Sequence, residues 1–342
     1  MFVTSGDIDH NFYMALAAQA ASRHLLLTHP NPAVGALLLD RNGRILAIAA
    51  HEKAGGPHAE VRVFQRSLAA ALSGPDRLAF EALEDSARIH AALLAHHQNR
   101  FKGGTLYVTL EPCAATGKTP ACAPLIAQLG IKQVVIGSRD PNPSMAGGIA
   151  SLEGCGLTVI QGVQREACDE LIAPFVAHLQ GRAFRVFKWA QRLSGSIDGG
   201  QVSCAAALDE VHQLRSVVDL LAIGGQTVRT DRPTLDARRV QGRPPPVQIL
   251  SNQTAFDPDI PLFCVPDRSV HISAQVSAEA GLVLIEGGPG LLEVLWDQID
   301  RLLIYQSGHL QGGLPMAMAH EAERLFTQPM GRTLKGWYRP LR

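Results

Sequence analysis

The chain is short of several things, and each shortage excludes something. Among its 342 residues 31 are basic and 31 acidic, so the formal net charge is zero and no broad basic surface is left for nucleic acid. Apolar residues reach 46%, yet no unbroken run approaches the ~18 residues of a membrane span, so no membrane association is expected. The N-terminus, Met1-Phe2-Val3-Thr4-Ser5-Gly6-Asp7, lacks a charged stretch followed by an apolar one. No secretory leader is therefore expected, and the cytoplasm is the expected compartment. Six cysteines are too scattered for a disulfide framework. Cys155, Cys168, Cys204 and Cys264 are expected as buried thiols in a reducing environment. No internal repeat is visible, and the length exceeds one ordinary core. Two domains are expected, over 1–180 and 181–342.

What is present concentrates in His58-Ala59-Glu60, Glu111-Pro112-Cys113 and Cys122. One His and two Cys are three ligands of the kind a zinc ion takes, and they leave a fourth position for water. Structural zinc sites close with a fourth protein ligand, but no second Cys-x-x-Cys pair or His-rich tract stands nearby to supply one. Three unrelated residues, or a structural site, are the plain alternatives. Glu60, two residues from the ligand His, is placed to handle protons of the fourth-site water. His-x-Glu, Pro-Cys and a later Cys form the signature of zinc deaminases, in which metal-activated water attacks a carbon bearing an amino group.

Helical and strand patterns alternate in the first half, which argues for a layered α/β domain. Phe12, Leu16, Ala20 and Leu27 fall at helical spacing over 9–27. Val34–Leu39 and Ile45–Ala50 read as strands about the turn Asp40-Arg41-Asn42-Gly43. Pro57–Glu60 should open a helix, Thr105–Leu110 should be a strand delivering Cys113, and Pro120–Leu129 a helix with Cys122 in its first turn. Residues 65–103 interrupt the pattern; they read as two surface helices broken at Gly74-Pro75, with His90, His96 and His97 solvated. Lys132–Gly137 and Leu157–Ile160 read as strands and 164–180 as a helix. Beyond a linker at 180–182, strands are expected at 184–190, 219–224, 247–251, 270–273, 282–285 and 302–305, with helices at 206–217 and 290–299.

Thr28–Gly35, His51–Val61, Leu106–Cys113, Gly117–Cys122 and Asp140-Pro141-Asn142-Pro143 occur in that order. Together they resemble the bifunctional riboflavin-biosynthesis deaminase/reductase family. The resemblance implies an N-terminal cytidine-deaminase-like three-layer α/β domain and a C-terminal dihydrofolate-reductase-like α/β domain. It implies His58, Cys113 and Cys122 as zinc ligands and Glu60 as proton shuttle, with Asn31, His51 and Lys118 lining the substrate pocket. Asn31, in a stiff loop between prolines, offers both donor and acceptor to a heterocycle edge. Lys118, in Gly-Lys-Thr before a helix, offers a point charge to phosphate. One departure stands out: the family commonly has a His two residues past the first ligand Cys, where this chain has Ala115. The insertion at 65–103 is another.

In the second half the resemblance places Lys188, Asp231 and Glu286 about the reacting ribose and Arg215 and Arg238 on its phosphate. Gly224, Gly225, Thr227, Gly287 and Gly288 would admit NADPH to the backbone. The family's Ser-Leu-Asp-Gly falls on Arg192–Gly195 without a gap, or on Ser196-Ile197-Asp198-Gly199 with a four-residue shift. The expected Trp-Ile-Ser/Thr segment is missing, Pro246–Ser251 lacks an Arg and an Asp, and the domain end reads as abbreviated.

The activity implied is hydrolytic deamination of 2,5-diamino-6-ribosylamino-4(3H)-pyrimidinone 5′-phosphate in riboflavin biosynthesis, with or without NADPH-dependent reduction of the ribose. A small-molecule pyrimidine ribosyl phosphate is the expected partner, and a homo-oligomer, commonly a dimer, the expected assembly. Two alternatives differ. One is a deaminase-only paralogue serving a toxoflavin-like secondary pathway. The other, from another class, is a zinc-stabilised pseudoenzyme or scaffold, against which Glu60 argues, since a structural metal has no use for a proton shuttle.

Overall fold

The run Gly-Ala-Leu-Leu-Leu at 35–39 shows no polar alternation, and in the computed structural model both its faces are buried. The structure describes residues 9–117, 119–198, 200–279 and 281–342. The chain divides into two compact units, residues 1–176 and 177–342.

The first unit contains α1 (His10–Ser22), β1 (Gly35–Leu39), β2 (Ile45–Ala50), α2 (Ala59–Ala69), α3 (Gly74–Glu81) and α4 (Ser86–His96). It continues through β3 (Thr105–Leu110), α5 (Cys122–Gln128), β4 (Gln133–Ser138), α6 (Gly148–Gly154), β5 (Thr158–Gln161) and most of α7 (Arg165–Leu179). The sheet order is β2-β1-β3-β4-β5; β1 pairs antiparallel with β2 and β3, and β3, β4 and β5 are parallel. Strand residues alternate between two apolar layers. Leu37, Leu39, Tyr107 and Val135 meet Met14 and Ala17 of α1 and Cys168 of α7. Ala36, Leu38, Val108 and Ile136 meet Phe64 of α2, Leu93 of α4 and Ile126 of α5. Helices on both faces of one sheet make the three-layer α/β arrangement.

Three expectations need correction here. The first helix stops at Ser22, and its buried stripe is Met14, Ala17, Ala18 and Ala21, while Phe12 is 55% exposed. The cause is close approach: a Cβ on Gly35 would lie 1.9 Å from the Ala17 carbonyl oxygen, so only small helix residues fit over β1. Gly74-Pro75 opens α3 instead of ending a helix, because the first turn tolerates proline's missing N–H. His90 is not solvated: α4 turns it inward with Ile89 and Leu93, and it is 8% exposed. His96 is exposed, and His97 stacks on Phe101.

The second unit contains β6 (Ala183–Arg192), α8 (Ala205–Val217), β7 (Leu220–Gly224), α9 (Gly225–Asp231), β8 (Val247–Leu250) and β9 (Val270–Ser273). It ends with β10 (Gly281–Glu286), α10 (Pro289–Leu295), β11 (Arg301–Ser307), β12 (Ala322–Met330) and β13 (Thr333–Pro340). The sheet order is β12-β13-β11-β6-β10-β7-β8-β9, parallel from β11 through β9 and antiparallel at β12-β13-β11. Phe187, Ile285, Leu292, Trp296 and Leu302 form a core cluster of this unit. At the domain end a hairpin turning at Gly331-Arg332, with Gly331 at φ +58°, supplies two strands that the sequence pattern did not mark. Its last strand buries Lys335 completely (1% exposed), where Nζ donates to Glu210 Oε1 at 2.9 Å. The Tyr305 hydroxyl donates to the same oxygen at 3.0 Å. Of the cysteines expected to be buried, Cys168 is, Cys204 is half-buried, and Cys155 and Cys264 are exposed, Cys155 capping the end of α6 and Cys264 closing a short 3-10 turn. Among the described residues no helix is long and apolar enough to cross a membrane.

Candidate metal centre and active site

Three chain segments converge in the first unit. His58 is the N-cap residue of α2, Cys113 follows the end of β3, and Cys122 opens α5. Their donor atoms all lie within 4.8 Å of one another. His58 Nδ1 is 3.4 Å from Cys122 Sγ and 3.8 Å from Cys113 Sγ. Zn–S near 2.3 Å and Zn–N near 2.0–2.1 Å in a tetrahedron put such atoms roughly 3.5 Å apart. The donor set fits zinc. The other ring nitrogen, Nε2, is 3.2 Å from Thr119 Oγ1, a partner that fixes ring orientation. The Cys122 backbone N–H donates to Cys113 Sγ at 3.3 Å.

Electrostatics point the same way. The hydrogen bond with Cys122, against burial but with help from His58, brings the Cys113 thiol down to about 4, whereas the bond with Cys113 and burial push Cys122 up. Burial opposes charge on His58, but Cys113 raises it, so thiolate and imidazole support each other's charge where a divalent cation would bind both. Glu60, 4% exposed, lies in the same cleft, and burial raises its carboxyl to about 7.

The cleft encloses about 180 Å³, and its walls include Asn31, His51, Glu60, Cys113, Asp140 and Asn142. Burial drops His51 to about 4, although the Pro57 carbonyl opposes this, so the ring is neutral at pH 7. With Nδ1–H donating to the Pro57 oxygen at 3.0 Å, Nε2 accepts from Asn31 Nδ2 at 3.2 Å. That bond fixes the Asn31 amide with its carbonyl oxygen as an acceptor. The structure thus brings together His58, Cys113, Cys122, Glu60, Asn31 and His51. Lys118 lies outside the described residues. Ala115 is not part of the cleft lining.

Glu111 carries more than the sequence reading gave it. Its buried carboxylate accepts from the backbone N–H groups of Asp140 (3.3 Å), Gly147 (3.0 Å) and Ile149 (3.1 Å), tying the strand end that carries Cys113 to the 140–149 loop. Gly148 completes the junction, since a Cβ there would lie 1.7 Å from the Pro112 oxygen. The Asp-Pro-Asn-Pro motif was the available signal: it marks a loop whose anchor had to come from elsewhere.

In the second unit, Lys188 and Glu286 face each other in register on β6 and β10, with Nζ to Oε2 at 3.3 Å. The Arg215 fork grips the same carboxylate at 2.9–3.1 Å. Burial would raise the Glu286 carboxyl, but Arg215 and Lys188 outweigh it and hold it at about 2. Asp231, at the end of α9, accepts from Thr230, and the exposed Arg238 pairs with Asp236. Among the described residues no hydrogen bond or ion pair joins either of them to the Lys188–Arg215–Glu286 trio. Gly224 ends β7 and Gly287-Gly288 follow β10, its neighbour, so glycine turns lie side by side at the carboxyl ends of parallel strands. Gly288 faces open space, which leaves room for a dinucleotide. Gly225 is a glycine for another reason: a Cβ there would lie 2.6 Å from the Ser251 side chain. Thr227 lies within α9.

Residues 7–138 match the family described as the cytidine and deoxycytidylate deaminase zinc-binding region. The riboflavin biosynthesis protein RibD of Aquifex aeolicus is 35% identical over 82% of this chain and 68% of its own length. That of Corynebacterium ammoniagenes is 30% identical over 90% of this chain and 86% of its own length. A crystal structure of a diaminohydroxyphosphoribosylaminopyrimidine deaminase/5-amino-6-(5-phosphoribosylamino)uracil reductase from Thermotoga maritima covers 97% of this chain and 98% of that one, with TM-score 0.60 and 25% identity. The chain belongs to the riboflavin-biosynthesis deaminase/reductase family, with a cytidine-deaminase-like first half and a reductase-like second half.

Proposed function

We infer that this chain removes the 2-amino group hydrolytically from 2,5-diamino-6-ribosylamino-4(3H)-pyrimidinone 5′-phosphate and then reduces the ribose to a ribityl chain with NADPH. The observation that carries the first step is a three-donor His/Cys/Cys cluster with a buried glutamate in one cleft. Zinc held by His58, Cys113 and Cys122 would supply a water acidified to near neutrality. Glu60 takes a proton at a carboxylate oxygen and returns it to the departing amino nitrogen. Neutral His51 orients the Asn31 amide, whose carbonyl oxygen accepts from the heterocycle edge, and Lys118 sets its charge against the phosphate. Buried walls around Glu60 keep bulk water from competing for its proton.

For the reduction, Lys188 and Glu286 form the polar face against the ribose, with Asp231 completing it. Arg215 and Arg238 serve the phosphate, and Gly224, Gly225, Thr227, Gly287 and Gly288 border the dinucleotide. When bound, NADPH supplies the hydride. One observation favours a second reading, deamination alone: the Arg215 fork is already engaged by Glu286.

The test is to incubate pure protein with the diaminopyrimidinone ribosyl phosphate and follow ammonia and NADPH absorbance separately. Glu60→Gln should keep its zinc and lose ammonia release by ~10²–10⁴-fold, because the amide cannot accept the proton. Normal turnover in that variant refutes the assignment; ammonia without NADPH oxidation establishes the second reading.

A further inference from the structure

Between the end of α2 at Ala69 and β3 the chain adds two helices, α3 and α4, and among the described residues none of 70–103 lines the metal cleft. Their grip on α2 is specific. The Arg62 side chain is 6% exposed; its Nη1 donates to Gln65 Oε1 at 2.9 Å and to the Leu83 carbonyl at 3.2 Å, and its Nη2 pairs with Glu84. Gln65 Nε2 donates in turn to the carbonyls of Phe80 (2.7 Å) and Leu83 (2.9 Å). A buried guanidinium needs a carboxylate, and the insertion supplies it.

The other oxygen of Glu84 lies 3.4 Å from Lys53 Nζ. Lys53 belongs to the segment between β2 and α2, which begins with His51 and ends with Pro57 and His58. That segment is closed on itself by the Gly56 N–H donating to the Lys53 carbonyl and by the His51 Nδ1 bond to Pro57. One carboxylate therefore spans from α2, one helical turn past His58, to the middle of the segment presenting His51. Arg66 holds the far side, donating to the Ile48 carbonyl and to Glu52.

We propose that Glu84 is a positioning residue: by bridging Arg62 and Lys53 it fixes the 51–58 segment, and the inserted helices serve to hold His51 against the pyrimidine ring. This rests on the deaminase reading for its substrate. Packing alone would make Glu84 matter for stability and Lys53 for nothing, since the Lys53 side chain is 65% exposed. Positioning makes both matter for substrate binding.

The experiment compares wild type, Glu84→Gln and Lys53→Met as full chains with zinc bound. Amide hydrogen exchange over 51–58 is read by mass spectrometry, and ammonia release from the diaminopyrimidinone ribosyl phosphate is measured well below the unfolding temperature. An exposed ion pair is worth a factor of up to ~5, so Lys53→Met should speed exchange over 51–58 and raise KM by ~2–5-fold. Glu84→Gln should do at least as much. In both, kcat stays within ~2-fold and the zinc content is unchanged, while ~1 M salt brings wild type close to Lys53→Met. Unchanged exchange and KM in Lys53→Met, with only a lowered unfolding temperature in Glu84→Gln, overturns the proposal. A wild type that releases no ammonia refutes the deaminase reading instead, and the exchange comparison still decides the role of Glu84.

Discussion

Thr119→Val removes one hydroxyl and almost no volume. In the wild type that hydroxyl is 3.2 Å from Nε2 of His58, while Nδ1 faces the two sulfurs. Nε2 therefore carries the proton and donates it to Thr119, which fixes the tautomer and turns Nδ1 toward the metal position. Loss of such a partner costs about 10–100-fold in metal affinity. At 3.2 Å the contact is at the long end of the normal range, so the lower part applies, about tenfold or 1.4 kcal/mol. The assay strips the zinc, then titrates it back against a competing fluorescent indicator of known affinity. Thr119→Ser retains an acceptor and should bind nearly as the wild type does. Equal zinc affinity in Thr119→Val and wild type, or an equal loss in the serine variant, would refute the second-partner reasoning.

Glu286, moved by its two cations from an ordinary 4.5 to about 2, contributes about 3 kcal/mol to the second unit. Because its folded value is depressed, that contribution is complete above pH 4.5 and is lost as pH falls toward 2. Glu286→Gln should therefore unfold more easily at pH 7, with the gap closing toward pH 2. All three tryptophans, Trp189, Trp296 and Trp337, lie in this unit, so fluorescence during denaturation measures it selectively. Lys335→Met leaves Glu210 buried without its cation and should cost about 3–5 kcal/mol by the same readout. Glu111→Gln sets an amide NH₂ against backbone donors and should cost the first unit about 1–3 kcal/mol, seen as an earlier calorimetric transition. An unshifted transition would mean that the 140–149 loop is held by something else.

The metal site was legible because its chemistry is carried by residue types that have few substitutes: an imidazole, two thiols and a carboxylate at fixed spacing. The strands beneath it were legible for a different reason, since continuous apolar runs such as Gly35–Leu39 can only be buried. Helix faces were read less well. The stripe through Phe12 presumed that large residues pack inward, but Gly35 brings the backbones so close that alanines do. His90 looked like a solvated neighbour of His96 because local spacing carries no sign of which helix face meets the core. The β12–β13 hairpin escaped notice because its strands hold Glu, Arg, Lys and Pro, as an edge pair can. Glu111 was invisible as an anchor because its partners are backbone amides, which any sequence provides.

The terminal strand has a consequence for synthesis. β13 is laid against β11, itself the neighbour of β6, the first strand of the second unit, and Lys335 brings from this late position the cation that Glu210 has waited for since α8. The deaminase half can close while the ribosome is still translating the second unit, whereas Lys335 on β13 reaches Glu210 only after that unit's other strands have emerged. A nascent chain halted before codon 335 would carry every residue of the first unit and a second unit still lacking the cation of Lys335.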